Sequence, residues 1–192
     1  MGTKKHEHDH GHRHGHHHEK ENSQQHAKET FRAGVIVSSD RAHRGEYTDE
    51  SGPAAMAWLA KRGYETLGCL VVSDDASPLR DAVAQFVERG AEVVVISGGT
   101  GLGPRDITPQ TLDACCDFSI PGIGEHLRRE SLKYSLNSNL SRCGAWAKGQ
   151  RLVLALPGNP KAVAEQLEML EDLIPHAIWS LRGECHHRRR EA

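Results

Sequence analysis

The stretch "AEVVVISGGTGLGPRD", residues 91–106, decides the fold. Its first half, residues 91–97, contains three consecutive valines, β-branched residues suited to a strand buried on both faces of a parallel sheet. Its second half supplies Gly98, Gly99, Thr100 and Gly101, followed by Arg105 and Asp106. Glycines without a Cβ let backbone N–H groups approach an oxyanion, Thr100 adds a hydroxyl donor, and Arg105 offers a planar fork that matches phosphate oxygens. The run nevertheless closes on the carboxylate of Asp106, which would repel the anion that the glycines invite.

Outward from this stretch, strand and helix patterns alternate. Residues 31–39, "FRAGVIVSS", and 64–75, "YETLGCLVVSDD", read as strands; residues 52–63, "GPAAMAWLAKRG", read as a helix. In residues 77–90, Leu79, Ala82, Val83, Phe86 and Val87 recur at helical spacing, with Ser77 before Pro78 as the start signal and Gly90 as the stop. Downstream the pattern predicts a helix over residues 124–136, short strands near 143–146 and 151–156, and a helix after Pro160 carrying Val163, Leu167, Leu170 and Ile174 on one face. Alternation of this kind implies right-handed crossovers. The expected fold is α/β, a three-layer sandwich with a mostly parallel central sheet flanked by helices.

Composition narrows the function. The 192 residues carry 24 Lys and Arg against 26 Asp and Glu, a formal net charge of −2 that argues against a general nucleic-acid partner. No run of eighteen apolar residues and no apolar leader occurs, so no membrane partner is expected and a cytoplasmic location is. Cys69, Cys115, Cys116, Cys143 and Cys185 form no CxxC pair and read as reduced thiols. Residues 1–30 are polar and rich in histidine, a composition expected to be disordered. Their imidazoles at His6, His8, His10, His12, His14, His16, His17 and His18 are candidate ligands for Zn²⁺ or Ni²⁺. Residues 31–181 are read as one domain and 182–192 as a basic tail.

In an open α/β sheet, ligands bind beyond the carboxyl ends of the strands. Residues 38–41, 73–75, the glycine loop and the 157–161 run "PGNPK" all follow predicted strands and should converge on one rim. Asn159 can cap the helix that begins at Pro160. Two nucleotide signatures fail: no Gly-Lys-Ser/Thr ending follows the glycines, and Pro104 stands where the last glycine of GxGxxG belongs. Asp106 becomes intelligible if Mg²⁺ bridges it to bound phosphate oxygens, with Asp74 or Asp75 as a second carboxylate.

"SGGTGLGPRDITPQTL" with "IPGIGEHLR", "LSR" and "LPGNPKAV" resembles the MogA/MoaB family of molybdenum cofactor biosynthesis, which includes the N-terminal domain of gephyrin. The resemblance covers about residues 31–181. It implies the molybdenum cofactor biosynthesis protein-like fold and a homotrimer. It also implies an adenylyltransferase that joins AMP from Mg-ATP to the terminal phosphate of molybdopterin, releases pyrophosphate and passes its product to a MoeA-type metal insertion protein. By residue match, Asp74 and Asp106 would be catalytic and hold Mg²⁺. Gly98, Gly99, Thr100, Gly101, Arg105, Thr108, Ser141, Pro157, Gly158 and Asn159 would contact ATP and molybdopterin, with Ser39, Asp40, Asp49 and Ser51 from the first loop. A non-catalytic carrier of molybdopterin or molybdenum cofactor, of the MoaB type and with a metal-binding histidine tail, is the alternative.

Overall fold

The chain runs through β1 (Arg32–Ser38), α1 (Asp40–His43), α2 (Ser51–Lys61), β2 (Glu65–Val72), α3 (Ala76–Glu88), β3 (Val93–Ser97), α4 (Thr108–Cys115), β4 (Phe118–Ser119) and α5 (Pro121–Ser131). A 3₁₀ turn (Leu136–Leu140), β5 (Gly144–Lys148), β6 (Arg151–Leu156), α6 (Pro160–Met169) and α7 (Leu173–Arg182) complete it. This computed structural model describes residues 29–184, so the histidines of the leading run and Cys185 lie outside the described residues.

The strands form one sheet in the order β2-β1-β3-β6-β5-β4. β2, β1, β3 and β6 are mutually parallel, and β5 and β4 add antiparallel pairings at one edge. The valine run explains the layering. Successive strand side chains point to opposite faces, and Val93 and Val95 enter one core while Val94 and Ile96 enter the other. The first core packs under α2, α5, α6 and α7; the second packs under α3 and α4, around Leu79, Val83, Phe86 and Leu112. The sheet is thus covered on both faces, as expected of parallel strands.

Several local details differ from the pattern reading. α3 begins at Ala76 with Asp75 in the cap position, and Ser77 bonds to Asp81 instead of capping. Pro78 is tolerated there because the first-turn N–H groups have no intrahelical acceptor. The helix expected over 124–136 starts earlier, with Pro121 in its first turn, and ends at Ser131. The single helix expected after Pro160 is two, α6 and α7, separated by a turn after Leu170. Leu170 and Ile174 face the same core across that break, which is why their spacing looked continuous. α7 also extends to Arg182, which salt-bridges to the buried Glu92 before β3; Glu92 in turn accepts the Arg32 N–H of β1 at 2.8 Å.

Phe86 is fully buried where α3 crosses the sheet. Phe86→Ala is expected to lower unfolding free energy by about 3–5 kcal/mol through lost burial and an unfilled cavity. Urea unfolding followed by circular dichroism measures it.

Candidate active site

Because β1, β2, β3 and β6 are parallel, their carboxyl ends share one rim. Hydrogen bonds tie the loops there to one another. From β1, the Ser38 hydroxyl donates to Asp74 Oδ1 at 2.8 Å, and the Asp40 N–H donates to Asp74 Oδ2 at 2.9 Å. The Asp74 N–H returns a bond to Asp40 Oδ1 at 3.0 Å, so the ends of β1 and β2 are reciprocally joined. From β3 and β6, the Gly98 N–H donates to the Leu156 carbonyl at 3.0 Å and the Ser97 hydroxyl to that of Pro157 at 2.9 Å.

The glycine loop needs its glycines. Gly98 has φ of +108°, and a Cβ there would fall 2.3 Å from the Ser38 carbonyl oxygen. Gly99 has φ of +66°, and its Cβ would fall 2.3 Å from Thr108 Oγ1. That hydroxyl is buried and donates to the Gly98 carbonyl at 2.9 Å, while the Thr108 N–H donates to Gly99. Thr108 therefore braces the loop from beneath. Arg142 braces its far side: its guanidinium donates to the carbonyls of Gly101 at 2.7 Å and Asp106 at 2.5 Å, and its N–H donates to Thr100. With the carbonyls committed to these supports, the N–H groups of Gly99, Thr100 and Gly101 have no acceptor among the described residues.

These loops enclose a cavity of about 270 Å³. Of the residues expected from sequence, Ser39, Ser51, Gly98, Gly99, Thr100, Gly101, Asp106, Pro157 and Gly158 line it. Asp40, Asp49, Asp74, Arg105, Thr108, Ser141 and Asn159 are not part of its lining. Asp49 caps α2, its carboxylate accepting from the Ser51 N–H and hydroxyl and from the Gly52 N–H. Asn159 caps α6 through bonds from Lys161 and Ala162. Ser141 accepts the Cys143 N–H beside the loop.

Arg105 takes a partner that the sequence does not announce. Its guanidinium forks onto both carboxylate oxygens of Asp40, at 2.9 and 3.0 Å, and reaches Asp75 Oδ1 at 3.0 Å. The glycine loop is thereby latched to the ends of β1 and β2. The Arg105 fork, with the Asp74 N–H, holds the Asp40 carboxyl below its usual range. The Asp106 carboxylate remains without a cationic partner among the described residues, accepting only the Gly103 N–H, at 2.8 Å, as a hydrogen bond.

Two residues at this site escaped the sequence reading. Arg142 follows Ser141 in the quoted "LSR", where its charge alone gave no hint of bracing. Tyr47, which lines the cavity, lies in a loop with no periodic pattern.

A family profile described as "Probable molybdopterin binding domain" matches residues 34–176. The chain belongs to this family. It is 35% identical over 158 residues to a molybdopterin adenylyltransferase of Helicobacter pylori, covering 81% of this chain and 90% of that protein. A molybdenum cofactor biosynthesis bifunctional protein of Synechococcus elongatus is 36% identical over 154 residues, 80% of this chain but 48% of the relative, so the chain spans about half of that longer protein. Among solved structures, the molybdopterin biosynthesis Mog protein of Mycobacterium ulcerans superposes with a TM-score of 0.74 at 37% identity, covering 81% of this chain and 99% of that one. The MogA/MoaB resemblance and the α/β sandwich both hold.

The latch has a pH signature. A carboxyl whose folded value is depressed contributes stability above its unfolded value and loses it as pH falls through the folded one. Carbon-13 NMR titration should place Asp40 below the ordinary 3.8 in the wild type, and Arg105→Gln should move its midpoint upward.

Proposed function

We propose that the protein is a molybdopterin adenylyltransferase, forming adenylylated molybdopterin and pyrophosphate from ATP and molybdopterin. The observation that carries this reading is Asp106, a carboxylate without a cationic partner among the described residues, in a cavity whose amides suit an oxyanion. An anion carrier gains nothing from an acid there. A nucleotidyltransferase that takes its triphosphate with a divalent cation does.

Among the described residues no group of three or more His, Cys, Asp or Glu side chains could hold a metal by itself. Mg²⁺ does not require one, since it takes one or two carboxylates, phosphate oxygens and waters. Asp106, on the cavity wall, fits that donor set; Asp74 is not part of the lining but offers hard oxygens from the adjoining strand end, each keeping a lone pair beyond the bond it accepts from Ser38 or Asp40. When bound, Mg²⁺ offsets triphosphate charge. The chain's own groups supply alignment. The Gly99, Thr100 and Gly101 amides hold phosphate oxygens, while Thr108 and Arg142 fix the loop so that these donors need not reorganise as charge shifts. The attacking phosphate of the pterin is already ionised near neutral pH, so no side chain need act as general base.

Assembly and partners follow from the same reading. Leu132, Tyr134, Leu136 and Leu140 lie 43–79% exposed on one short segment, which supports association with further copies as a homotrimer. The product passes to a MoeA-type insertion protein. The reading places the chain in the cytoplasm; among the described residues no helix is long and apolar enough to cross a membrane. The histidine run would hold Zn²⁺ or Ni²⁺ outside the reaction itself, and removal of residues 1–28 is expected to leave adenylylation unchanged in the same assay.

Purified protein given molybdopterin, Mg²⁺ and ATP is expected to release pyrophosphate, with Asp106→Asn and Asp74→Asn each slowing turnover by about 10²-fold or more. Calorimetry with tripolyphosphate separates the alternatives. For the enzyme, Asp106→Asn weakens binding in the presence of Mg²⁺ and leaves it equal or tighter without. Tight pterin binding by the wild type with no pyrophosphate released would instead establish a carrier of the MoaB type.

A further inference from the structure

The cavity lining is of two chemical kinds. The glycine amides and Asp106 provide for phosphate and its cation, but a nucleotide or pterin phosphate also brings a planar ring that must pack somewhere. Among the described residues, Tyr47 is the one aromatic side chain that lines the cavity. It is 40% exposed, although it is tethered: its hydroxyl lies 3.3 Å from Ser39 Oγ, and the Arg41 guanidinium sits 5.1 Å from its ring centroid. Arg41 is itself held by Glu46 at 3.8 Å. A large ring fixed at a cavity wall, backed by a cation and still substantially open, is a surface built to be covered by another ring.

We infer that Tyr47 is the stacking contact for the planar heteroaromatic ring of the bound substrate, and so a determinant of ring-bearing over ring-free phosphates. This rests on the adenylyltransferase reading for the identity of the ligands. Adenine and pterin share the required chemistry: flat, polarisable and nitrogen-rich. The glycine loop cannot distinguish ATP from bare tripolyphosphate, because its amides see only oxygens. Discrimination then falls to the wall that Tyr47 supplies.

The test is equilibrium binding by calorimetry of ATP, tripolyphosphate and free pterin to full-length wild type, Tyr47→Phe, Tyr47→Leu and Tyr47→Ala, each first checked by thermal melting. Tyr47→Leu retains apolar bulk without the ring, and Tyr47→Phe retains the ring without the Ser39 contact. The expected result is a loss of about tenfold or more for ATP or for pterin in the Leu and Ala variants, near-wild-type binding by Phe, and unchanged tripolyphosphate affinity. The ligand that loses affinity identifies the ring that Tyr47 covers. Wild-type affinities for both ring-bearing probes in the Ala variant, or an equal loss for tripolyphosphate, would overturn the inference while wild-type ATP binding left the enzymatic reading standing. A wild type that binds neither ATP nor pterin would overturn that reading and this one with it.

Discussion

Three strand ends meet on the backbone of Gly98. Its N–H is bonded to Leu156 at the end of β6, its Cα lies against the Ser38 carbonyl at the end of β1, and its own carbonyl receives the Thr108 hydroxyl from the start of α4. No side chain fits at that junction. The consequence reaches beyond the turn: because Gly98 and Gly99 direct their carbonyls downward to Thr108, the following N–H groups are released to the cavity. The unpaired amides here are a by-product of how a parallel strand is made to stop.

The acidic residues of the rim divide by what they already hold. Asp40, Asp74 and Asp75 accept bonds from amides, hydroxyls or Arg105 of neighbouring loops, and Asp49 caps α2, so each carboxylate already serves the frame. Asp106 is different, although it lies next in sequence to the arginine that could neutralise it. Arg105 turns away to Asp40 and Asp75, and Arg142 reaches the Asp106 carbonyl instead of its carboxylate. Exposed ion pairs of this kind contribute little to stability. Their value lies in placement, since they leave the Asp106 carboxylate without a cation among the described residues.

Much of the fold was legible because parallel strands buried on both faces must be apolar throughout, and Val93–Ile96 could belong to little else. The convergence of the loops on one rim followed from strand direction alone. What stayed hidden was partnership. Arg105 announced a charge and a fork, but two carboxylates distant in sequence fill that fork, and no spacing rule links residue 105 to residues 40 and 75. Arg142 was hidden for the same reason. The break between α6 and α7 was concealed by continuity of the core, because Leu170 and Ile174 serve one apolar surface whether or not the helix between them is intact. Tyr47 carried no signal at all, for a loop aromatic has meaning only once the cavity beside it exists.

These features bear on whether such a site is built to hold an anion or to transform one. Holding alone is served by amides and cations, and each carboxylate facing the cavity works against it unless a divalent ion is brought along. The chain nevertheless commits Thr108, Arg142 and the Gly103 N–H to fixing the segment from Gly98 to Asp106, and so maintains the acid and the amides in one rigid frame. Rigid opposition of an acid to oxyanion donors is costly for ground-state binding of a bare phosphate. It becomes favourable when charge moves between phosphate oxygens already partnered with a cation, where preorganised groups of both signs are needed at fixed positions.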